Sequence, residues 1–315
     1  MKIIFMGTPE RSAVVLQALL DAGHEILAVV TQPDRPKGRG QKIAFSPVKE
    51  LALAKYLPVQ QPEKLKNNQV FFSFLKSLQP EIMVVVAYGK ILPEAMLSIP
   101  RYGSINLHAS LLPKYRGAAP IQWALLNGEQ ATGVTIMRLN PRLDAGEIIL
   151  QEKIAIEDKD NAESLAQKLF ARGGELLLEA LRQIEQGKAQ YRMQNEAGVS
   201  YAPAISKESG EIDWRKTAVE INNRLRALLP WPMAHTFHRE KTLKIWQAEI
   251  SPLALELKPA QPGTITQLLK NVGFMIATGK GSLLIKEVQP EAKNRMGAYD
   301  YVLGHHLTVG EILPN

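Results

Sequence analysis

The sequence predicts an α/β protein in which a doubly wound, mostly parallel sheet is followed by a small OB-like β-barrel. A β-loop-α-β start over residues 2–31 is the pattern with which doubly wound sheets begin. The continuous apolar run at 81–87 is typical of a central strand of a parallel sheet, which is buried on both faces. Short strands separated by turn signals, all after residue 233, favour the barrel.

The elements of the first part follow from apolar periodicity and from the Gly, Pro and Ser residues at their ends. Strands are predicted at 2–6, 25–31, 81–87, 104–108 and 132–139, and helices at 11–22, 46–56, 70–78, 121–126 and 162–186. Gly173-Gly174 predicts a kink or break in the last helix. The turn Gly7-Thr8-Pro9 lacks the GxGxxG pattern, so a dinucleotide site is poorly supported.

The second part begins with a helix at 217–228, which Pro230-Trp231-Pro232 ends. The barrel strands are predicted at 234–238, 243–250, 263–268, 273–277 and 283–288. Between the two parts, the stretch 187–206 is polar and irregular, which is typical of a linker. We therefore divide the chain into a first domain at residues 1–188, a linker at 189–205 and a second domain at 206–315.

Composition restricts the class of protein. The chain has 315 residues, of which 45% are hydrophobic and 22% charged, as in ordinary globular proteins. It has no Cys, which excludes disulfides and thiolate metal ligands and is compatible with the reducing cytoplasm, where we expect the protein to act. No apolar run approaches the length of a membrane span. The net charge of +7 favours a polyanionic partner.

The stretch SINLHASLLPKYRGAAP, residues 104–120, carries the chemistry. On a strand, Asn106 and His108 point to the same face, which sets an amide donor beside a group that moves protons near neutral pH. An acidic partner is available in Asp144, in a loop after the strand at 132–139. When an amine attacks a carbonyl or formyl carbon, a donor such as Asn106 stabilises the oxyanion. His108 can transfer the proton, and Asp144 can orient its ring or stabilise its charged form.

The residues alone leave a second interpretation open. Asn106 and His108 equally fit a structural role in which they cap and satisfy the end of the strand. Beyond the strand, the segment turns at Leu112-Pro113, and Lys114 and Arg116 are predicted to be exposed.

A longer pattern resembles the 10-formyltetrahydrofolate-dependent formyltransferase superfamily. The pattern is NLHASLLPKYRGAAPIQWALLNG, followed by TGVTIM and LDAG. The resemblance implies a formyltransferase-like Rossmann fold in the first domain and a catalytic trio of Asn106, His108 and Asp144. The residues before Asp144 depart from the family, because Pro141 and Arg142 replace its usual acidic and glycine-containing sequence.

The resemblance also implies the formyl donor, 10-formyltetrahydrofolate, and the residues that bind it. The family's folate site includes the SLLP turn and the segment after the central strand. In this chain those residues are Ser110, Leu111, Leu112, Pro113, Tyr88 and Gly89. Tyr88 equally fits simple packing. The reaction needs no metal, and the pair His305-His306 lacks the further ligands that a metal site requires.

A basic loop indicates the acceptor. Residues 32–47 contain Arg35, Lys37, Arg39 and Lys42 without apolar periodicity, which suits a loop that binds phosphates. A solvated surface loop is the alternative for an arbitrary protein. PDRPKGRG resembles the loop that tRNA-acting members of the family insert after their second strand. The resemblance therefore implies transfer to the α-amine of methionine on initiator tRNA, with the second domain also binding tRNA. We expect the enzyme to act as a monomer.

Two rival functions remain at this point. One is transfer of the formyl group to a small amine such as an amino sugar nucleotide, against which the basic loop and the predicted barrel argue. The other is a folate- or RNA-binding protein without catalysis, if the altered loop at 140–142 has disabled the site.

Overall fold

The computed structural model describes residues 1–37, 42–251 and 260–314, and these form two compact units. The first unit consists of Met1–Pro120, Ala131–Ile156 and Ala166–Pro203, and the second of Ile121–Gln130, Glu157–Leu165 and the chain from Ala204 onward. None of the helices in the described residues combines the length and apolar character that crossing a bilayer requires.

Up to residue 185 the chain contains both strands and helices. They are β1 (Lys2–Gly7), α1 (Glu10–Asp21), β2 (Glu25–Val30), β3 (Arg35–Lys37), β4 (Lys42–Ala44), α2 (Pro47–Ala54), β5 (Val59–Gln60), α3 (Gln69–Ser77), β6 (Ile82–Val86), α4 (Glu94–Leu97), β7 (Ser104–His108), α5 (Pro120–Leu126), β8 (Ala131–Arg138), β9 (Ile148–Ala155) and α6 (Ala162–Glu185). Polar N-caps define several starts; Ser46, for example, accepts the Lys49 N–H at the start of α2.

The sheet of the first unit has the strand order β5-β2-β1-β6-β7-β8-β9. The pairs from β5 to β7 are parallel, whereas β8 and β9 are antiparallel additions at one edge. The predicted mostly parallel α/β fold is thus confirmed. Strand β9 was not predicted, because its sequence IILQEKIA is buried only at its start and does not alternate clearly.

The two faces of this sheet are covered by different helices. On one face, Ile4, Met6 and Met83 belong to an apolar cluster that includes Phe71 and Phe72 of α3. On the other face, Leu107 of β7 lies against α6, where a Cβ added at Gly173 would come 2.8 Å from its side chain. Because side chains alternate along a strand, β7 directs Leu107 toward α6 and its neighbours Asn106 and His108 away from it.

Helix α6 is one continuous helix from Ala162 to Glu185, so the predicted break at Gly173-Gly174 is wrong. Both glycines are buried, and the side chain of Leu107 occupies the space beside Gly173. This packing against the sheet stabilises the helix at the two glycines. The glycines serve close packing of the helix on the sheet.

The second unit contains α7 (Ala218–Ala227), β10 (His235–His238), β11 (Lys241–Ile250), β12 (Ile265–Leu269), β13 (Gly273–Ala277), β14 (Ser282–Pro290), β15 (Met296–Gly297) and α8 (Ala298–His305). The five predicted barrel strands form one antiparallel sheet in the order β10-β11-β14-β13-β12. The chain after α8 runs along both outer strands: Ile265 donates to the Glu311 carbonyl at 2.8 Å, and Thr236 Oγ1 donates to the Pro314 carbonyl at 2.6 Å. These bonds join the terminal segment to both outer strands of the sheet.

The adjacent glycines of α6 give a matched test of this packing. Gly174→Ala is expected to raise the free energy of unfolding by about 0.5–1 kcal/mol, because alanine favours helix and the nearest atom to the new Cβ is 3.8 Å away. Gly173→Ala should raise the free energy of unfolding by less, or lower it. A Cβ at residue 173 would lie 2.8 Å from the side chain of Leu107, which must then move. Urea unfolding of both variants measures the difference, and equal effects would contradict the packing of Leu107 on α6.

Candidate active site

Strand β7 places Asn106 and His108 on one face of the sheet. Asn106 is paired with Val85 of β6 on one side and with Met137 of β8 on the other, so its half-buried amide lies between two apolar side chains. Among the described residues, the Asn106 amide has no hydrogen-bond partner. A half-buried amide without a protein partner is free to donate to a ligand.

The ring of His108 is 6% exposed and is held from both edges. Its Nε2 lies 2.9 Å from the carbonyl oxygen of Tyr115. Because a carbonyl oxygen only accepts, Nε2 carries the proton, and Nδ1 is the basic atom of the neutral ring. Nδ1 lies 3.7 Å from Oδ2 of Asp144, beyond hydrogen-bond length but within ion-pair distance. The carboxylate therefore stabilises the imidazolium that forms when Nδ1 takes up a proton.

A backbone donor from the neighbouring loop fixes the Asp144 carboxylate. The Gly117 N–H donates to Oδ2 at 2.8 Å. Gly117 has φ +128°, and a Cβ there would lie 2.6 Å from the Ala202 carbonyl oxygen, so this approach requires glycine. Asp144 itself adopts φ +46°, a left-handed conformation that aspartate tolerates better than most residues. Of the sequence-predicted trio, the structure therefore places the Asp144 carboxylate beside the His108 ring, with Asn106 on the same face of β7 as that ring.

The SLLP turn is fastened to β8, the strand beside β7. Thr135 Oγ1 donates to the Ser110 carbonyl at 2.6 Å and accepts the Leu112 N–H at 3.3 Å and the Gln151 Nε2–H at 2.8 Å. Gln151 also donates to the Leu112 carbonyl at 2.9 Å. Ser110 and Leu112 are buried by this arrangement, which leaves Leu111 half-buried at the surface.

Pro113 completes the turn and is half-buried as well. Two residues before Thr135 on β8, Gly133 leaves room for Leu111, whose side chain would lie 2.5 Å from a Cβ there. Two residues after Thr135, Met137 packs against Leu112. Gly133, Thr135 and Met137, which lie on one face of β8, thus all contact the turn. These contacts fix the position of the turn beside Asn106.

Arg116 is not exposed as predicted, and that expectation is wrong. Its side chain is 3% exposed, because Nε and Nη2 donate to the Gln194 side-chain oxygen at 3.1 and 2.8 Å. Its guanidinium also reaches the exposed carboxylate of Glu196 at 3.2 Å. A buried charge persists only where such partners compensate its lost hydration. Lys114 is exposed, as expected.

The ring of Tyr88 belongs to the core of the first unit, together with Phe71, Phe72 and Met96. Among the described residues its hydroxyl has no hydrogen-bond partner, and burial raises the pKa of the phenol to about 12. The ring thus has the packing role that the sequence allows, and its contact with folate stays a prediction. Gly89, by contrast, is exposed and has φ +86°.

The predicted linker is partly fixed to the first unit, and sequence reasoning missed this contribution to the site. Arg192 and Ile148 exchange backbone hydrogen bonds of 2.8 and 2.9 Å, and the Ser200 carbonyl accepts the Arg116 N–H at 2.9 Å. Arg142, part of the unusual sequence before Asp144, lies 3.6 Å from Glu196, and both side chains are mostly exposed. The only available signal was a run of polar residues without periodicity, which does not reveal such contacts.

The basic loop contains a short antiparallel pair, β3 with β4, to which Arg35, Lys37 and Lys42 belong; Arg39 lies outside the described residues. Arg35 is exposed. At the base of the loop, Lys49 pairs with Asp34 and donates to Gln61 at 2.8 Å. The hydrogen bond from Lys49 lowers the pKa of Asp34.

No group of three or more His, Asp or Glu side chains in the described ranges is arranged to hold a metal ion. The ring of His305 stacks on Tyr301 with centroids 4.0 Å apart. The site of Asn106, His108 and Asp144 instead offers a hydrogen-bond donor, a base and a carboxylate. That set suits proton transfer together with stabilisation of an oxyanion, as in acyl transfer.

Thr135→Val is expected to weaken the site through the SLLP turn. Valine keeps the shape but leaves the buried Leu112 N–H and Ser110 carbonyl without their partner, which costs about 1–3 kcal/mol for each group left unsatisfied. The variant should lose unfolding free energy and bind the formyl donor more weakly.

Thr132→Val is the matched control for that variant. It lies on the same strand and is also buried, and its hydroxyl has no hydrogen-bond partner in the part of the chain that the structure describes. This change should leave stability unchanged or slightly raised. Chemical denaturation and titration with the folate measure both variants, and similar losses in the two would contradict the role given to Thr135.

Comparisons with known proteins agree with this geometry. The family described as "Formyl transferase" matches residues 1–181, and "Formyl transferase, C-terminal domain" matches 204–306. The methionyl-tRNA formyltransferase of Caldanaerobacter subterraneus subsp. tengcongensis is 48% identical over 313 residues, covering 99% of this chain and 100% of that protein.

Solved structures show the same fold at lower identity. The sugar 3N-formyl transferase WlaRD has a TM-score of 0.67 at 21% identity, covering 93% of this chain and 99% of that one. HypX from Aquifex aeolicus has a TM-score of 0.67 at 18% identity, and the match covers 99% of this chain but 48% of HypX. The two matching family descriptions and the full-length relative show that the chain belongs to the methionyl-tRNA formyltransferase family.

Proposed function

We propose that this enzyme transfers a formyl group from 10-formyltetrahydrofolate to the α-amine of methionine esterified to initiator tRNA. The observation that carries the proposal is the half-buried amide of Asn106, which no side chain or backbone group of the described ranges occupies. It lies on the same face as His108, whose basic nitrogen faces Asp144 at 3.7 Å. Family membership and the 48% identical relative, which is named for this activity, support methionyl-tRNA as the acceptor of the formyl group.

The residues at the site fit a folate donor. The Asn106 amide has no competing partner among the described residues. Beside it, the SLLP turn keeps Leu111 and Pro113 half-buried at the surface, where an apolar ring system can pack. HypX was solved with tetrahydrofolic acid and WlaRD in the presence of 5-N-formyl-THF, so the fold is compatible with such a ligand.

The donor supplies the electrophilic formyl carbon, and the side chains of this chain do the rest. Asn106 donates a hydrogen bond to the formyl oxygen, which becomes negative as the amine attacks. Removing one such donor typically costs roughly 100- to 1000-fold in rate. His108 accepts the proton of the attacking amine at Nδ1, and Asp144 stabilises the resulting imidazolium. When the bond between the formyl carbon and N10 of the folate breaks, the imidazolium gives this proton to N10, so tetrahydrofolate leaves as the neutral amine and His108 returns to its starting form. No part of this proton transfer uses a metal.

The acceptor follows from charge as well as from the relatives. The chain has a net charge of +7, and Arg35, Lys37, Arg39 and Lys42 are close together in sequence. We propose that these residues and the second domain, at 206–315, bind tRNA phosphates. We further propose that the enzyme acts in the cytoplasm as a monomer, with 1–188 as the catalytic domain.

Transfer to an amino sugar is the second candidate, because WlaRD shares the fold and acts on a sugar. The basic loop and the identity to a tRNA-acting relative favour tRNA.

A formylation assay on charged initiator tRNA and on a dTDP-amino sugar tests the proposed function. The wild type is expected to formylate the tRNA far faster than the sugar. Asn106→Ala should lower kcat on the tRNA roughly 100- to 1000-fold while leaving tRNA affinity nearly unchanged, because the amide acts on the transition state. Faster formylation of the sugar would contradict tRNA as the acceptor. Full turnover by Asn106→Ala would contradict the proposed catalytic role of Asn106.

Neutralising the basic loop tests the acceptor separately. A variant with Gln at 35, 37, 39 and 42 is expected to raise KM for tRNA but not for the folate. The slope of log affinity against log salt should become shallower by roughly 0.7–0.9 for each phosphate that the variant no longer neutralises, the range between single strands and duplex DNA.

The control replaces exposed lysines elsewhere on the first unit by Gln, namely Lys55, Lys64, Lys66 and Lys76. These substitutions remove the same charge and should leave the salt slope nearly unchanged. If the control and the loop variant changed the slope equally, net charge rather than the loop would bind the tRNA.

A further inference from the structure

We propose that Gln194 is a positioning residue for the formyl-transfer reaction, because it joins the two loops that orient His108 and Asp144. The inference rests on the proposed function for its readout. Gln194 lies in the segment that follows α6, in the stretch predicted as a linker, and its side chain is 8% exposed.

All four hydrogen-bonding positions of the Gln194 amide are used. Its oxygen accepts from Nε and Nη2 of Arg116 at 3.1 and 2.8 Å. Its nitrogen donates to the carbonyl oxygens of Asp144 and Gly146, both at 2.8 Å. An amide offers two acceptor sites and two donor hydrogens, so the side chain is fully satisfied and has one fixed orientation.

The two loops that Gln194 joins both contact the catalytic groups. On one loop, the neighbours of Arg116 are Tyr115, whose carbonyl accepts from His108 Nε2, and Gly117, whose N–H donates to Asp144 Oδ2. On the other loop, Gln194 binds the backbone of Asp144 itself. The distance between Nδ1 of His108 and the Asp144 carboxylate therefore depends on the side chain of Gln194, although Gln194 contacts neither of these two groups directly.

The segment carrying Gln194 is itself fixed to the sheet. Two residues earlier, Arg192 exchanges backbone hydrogen bonds with Ile148 at the start of β9. The far end of the Asp144 loop is fixed as well, because Gly146 packs so tightly on β8 that a Cβ would lie 1.6 Å from the Arg138 carbonyl oxygen. Gln194 thus closes a rigid connection between β8, β9 and the Arg116 loop.

The chemistry of the four bonds explains why an amide is needed. Methionine has a similar size and would make none of them. Glutamate would keep the two bonds from Arg116, since a carboxylate accepts, but would set a negative oxygen against the carbonyls of Asp144 and Gly146. Gln194→Glu therefore separates the hold on Arg116 from the hold on the Asp144 loop.

Both variants are expected to act on turnover. A displacement of about 1 Å at a reacting group costs on the order of 100-fold in rate. Gln194→Met and Gln194→Glu should lower kcat on methionyl-tRNA about 10- to 100-fold with nearly unchanged KM for tRNA. Gln194→Glu should lower Tm less than Gln194→Met does, because its ion pair with Arg116 remains. Gln190→Met is the control, since Gln190 lies in the same segment, is exposed and makes no hydrogen bond with the described residues.

A second background distinguishes positioning from a merely structural role. When Asp144→Asn has removed the group that is positioned, adding Gln194→Glu should cost little further turnover, whereas a structural defect would cost the same in both backgrounds. Full turnover by Gln194→Glu, or equal losses in both backgrounds, would overturn the inference. Absence of formylation by the wild type would instead overturn the proposed function, so the two failures are distinguishable.

Discussion

The catalytic arrangement depends on the contact between the Asp144 carboxylate and its two neighbours. One oxygen, Oδ2, accepts the Gly117 N–H at 2.8 Å and lies 3.7 Å from Nδ1 of His108. This backbone donor compensates the carboxylate for part of the hydration that it loses on burial. Because the Tyr115 carbonyl fixes the opposite edge of the imidazole, the ring presents its basic nitrogen to the carboxylate. The direction of proton transfer is thus set by backbone atoms on either side of Arg116.

The antiparallel edge of the sheet gives this arrangement its support. Strand β8 pairs with β7 in a register that sets Met137 beside Asn106 and Thr135 beside His108. The Thr135 hydroxyl then holds the SLLP turn, so one strand positions both the catalytic pair and the proposed folate site. The pairing of β7 with β8 thus aligns these groups directly.

Much of this architecture could be predicted, and the failures have physical causes. Alternation in residues 104–108 was enough to place Asn106 and His108 on one face, because the period of a strand is fixed by its backbone. Arg116 was expected at the surface, where unpaired charges normally lie; its burial depends on Gln194, 78 residues away. No local pattern shows such a pairing. Gly173-Gly174 suggested a break in α6. The helix is continuous there, and the space beside Gly173 is filled by Leu107 of β7, a contact that the local sequence does not show.

The central claim is that His108 and Asp144 act as one unit in proton transfer. A double-mutant cycle with His108→Ala and Asp144→Asn, measured as single-turnover formylation of methionyl-tRNA, tests it most directly. Residues that act together give losses that do not add. We expect the double variant to be about as slow as the slower single variant, because Asp144 has no imidazolium to stabilise once the ring is gone. Losses that multiply in full would show that the two residues act independently and would contradict the account.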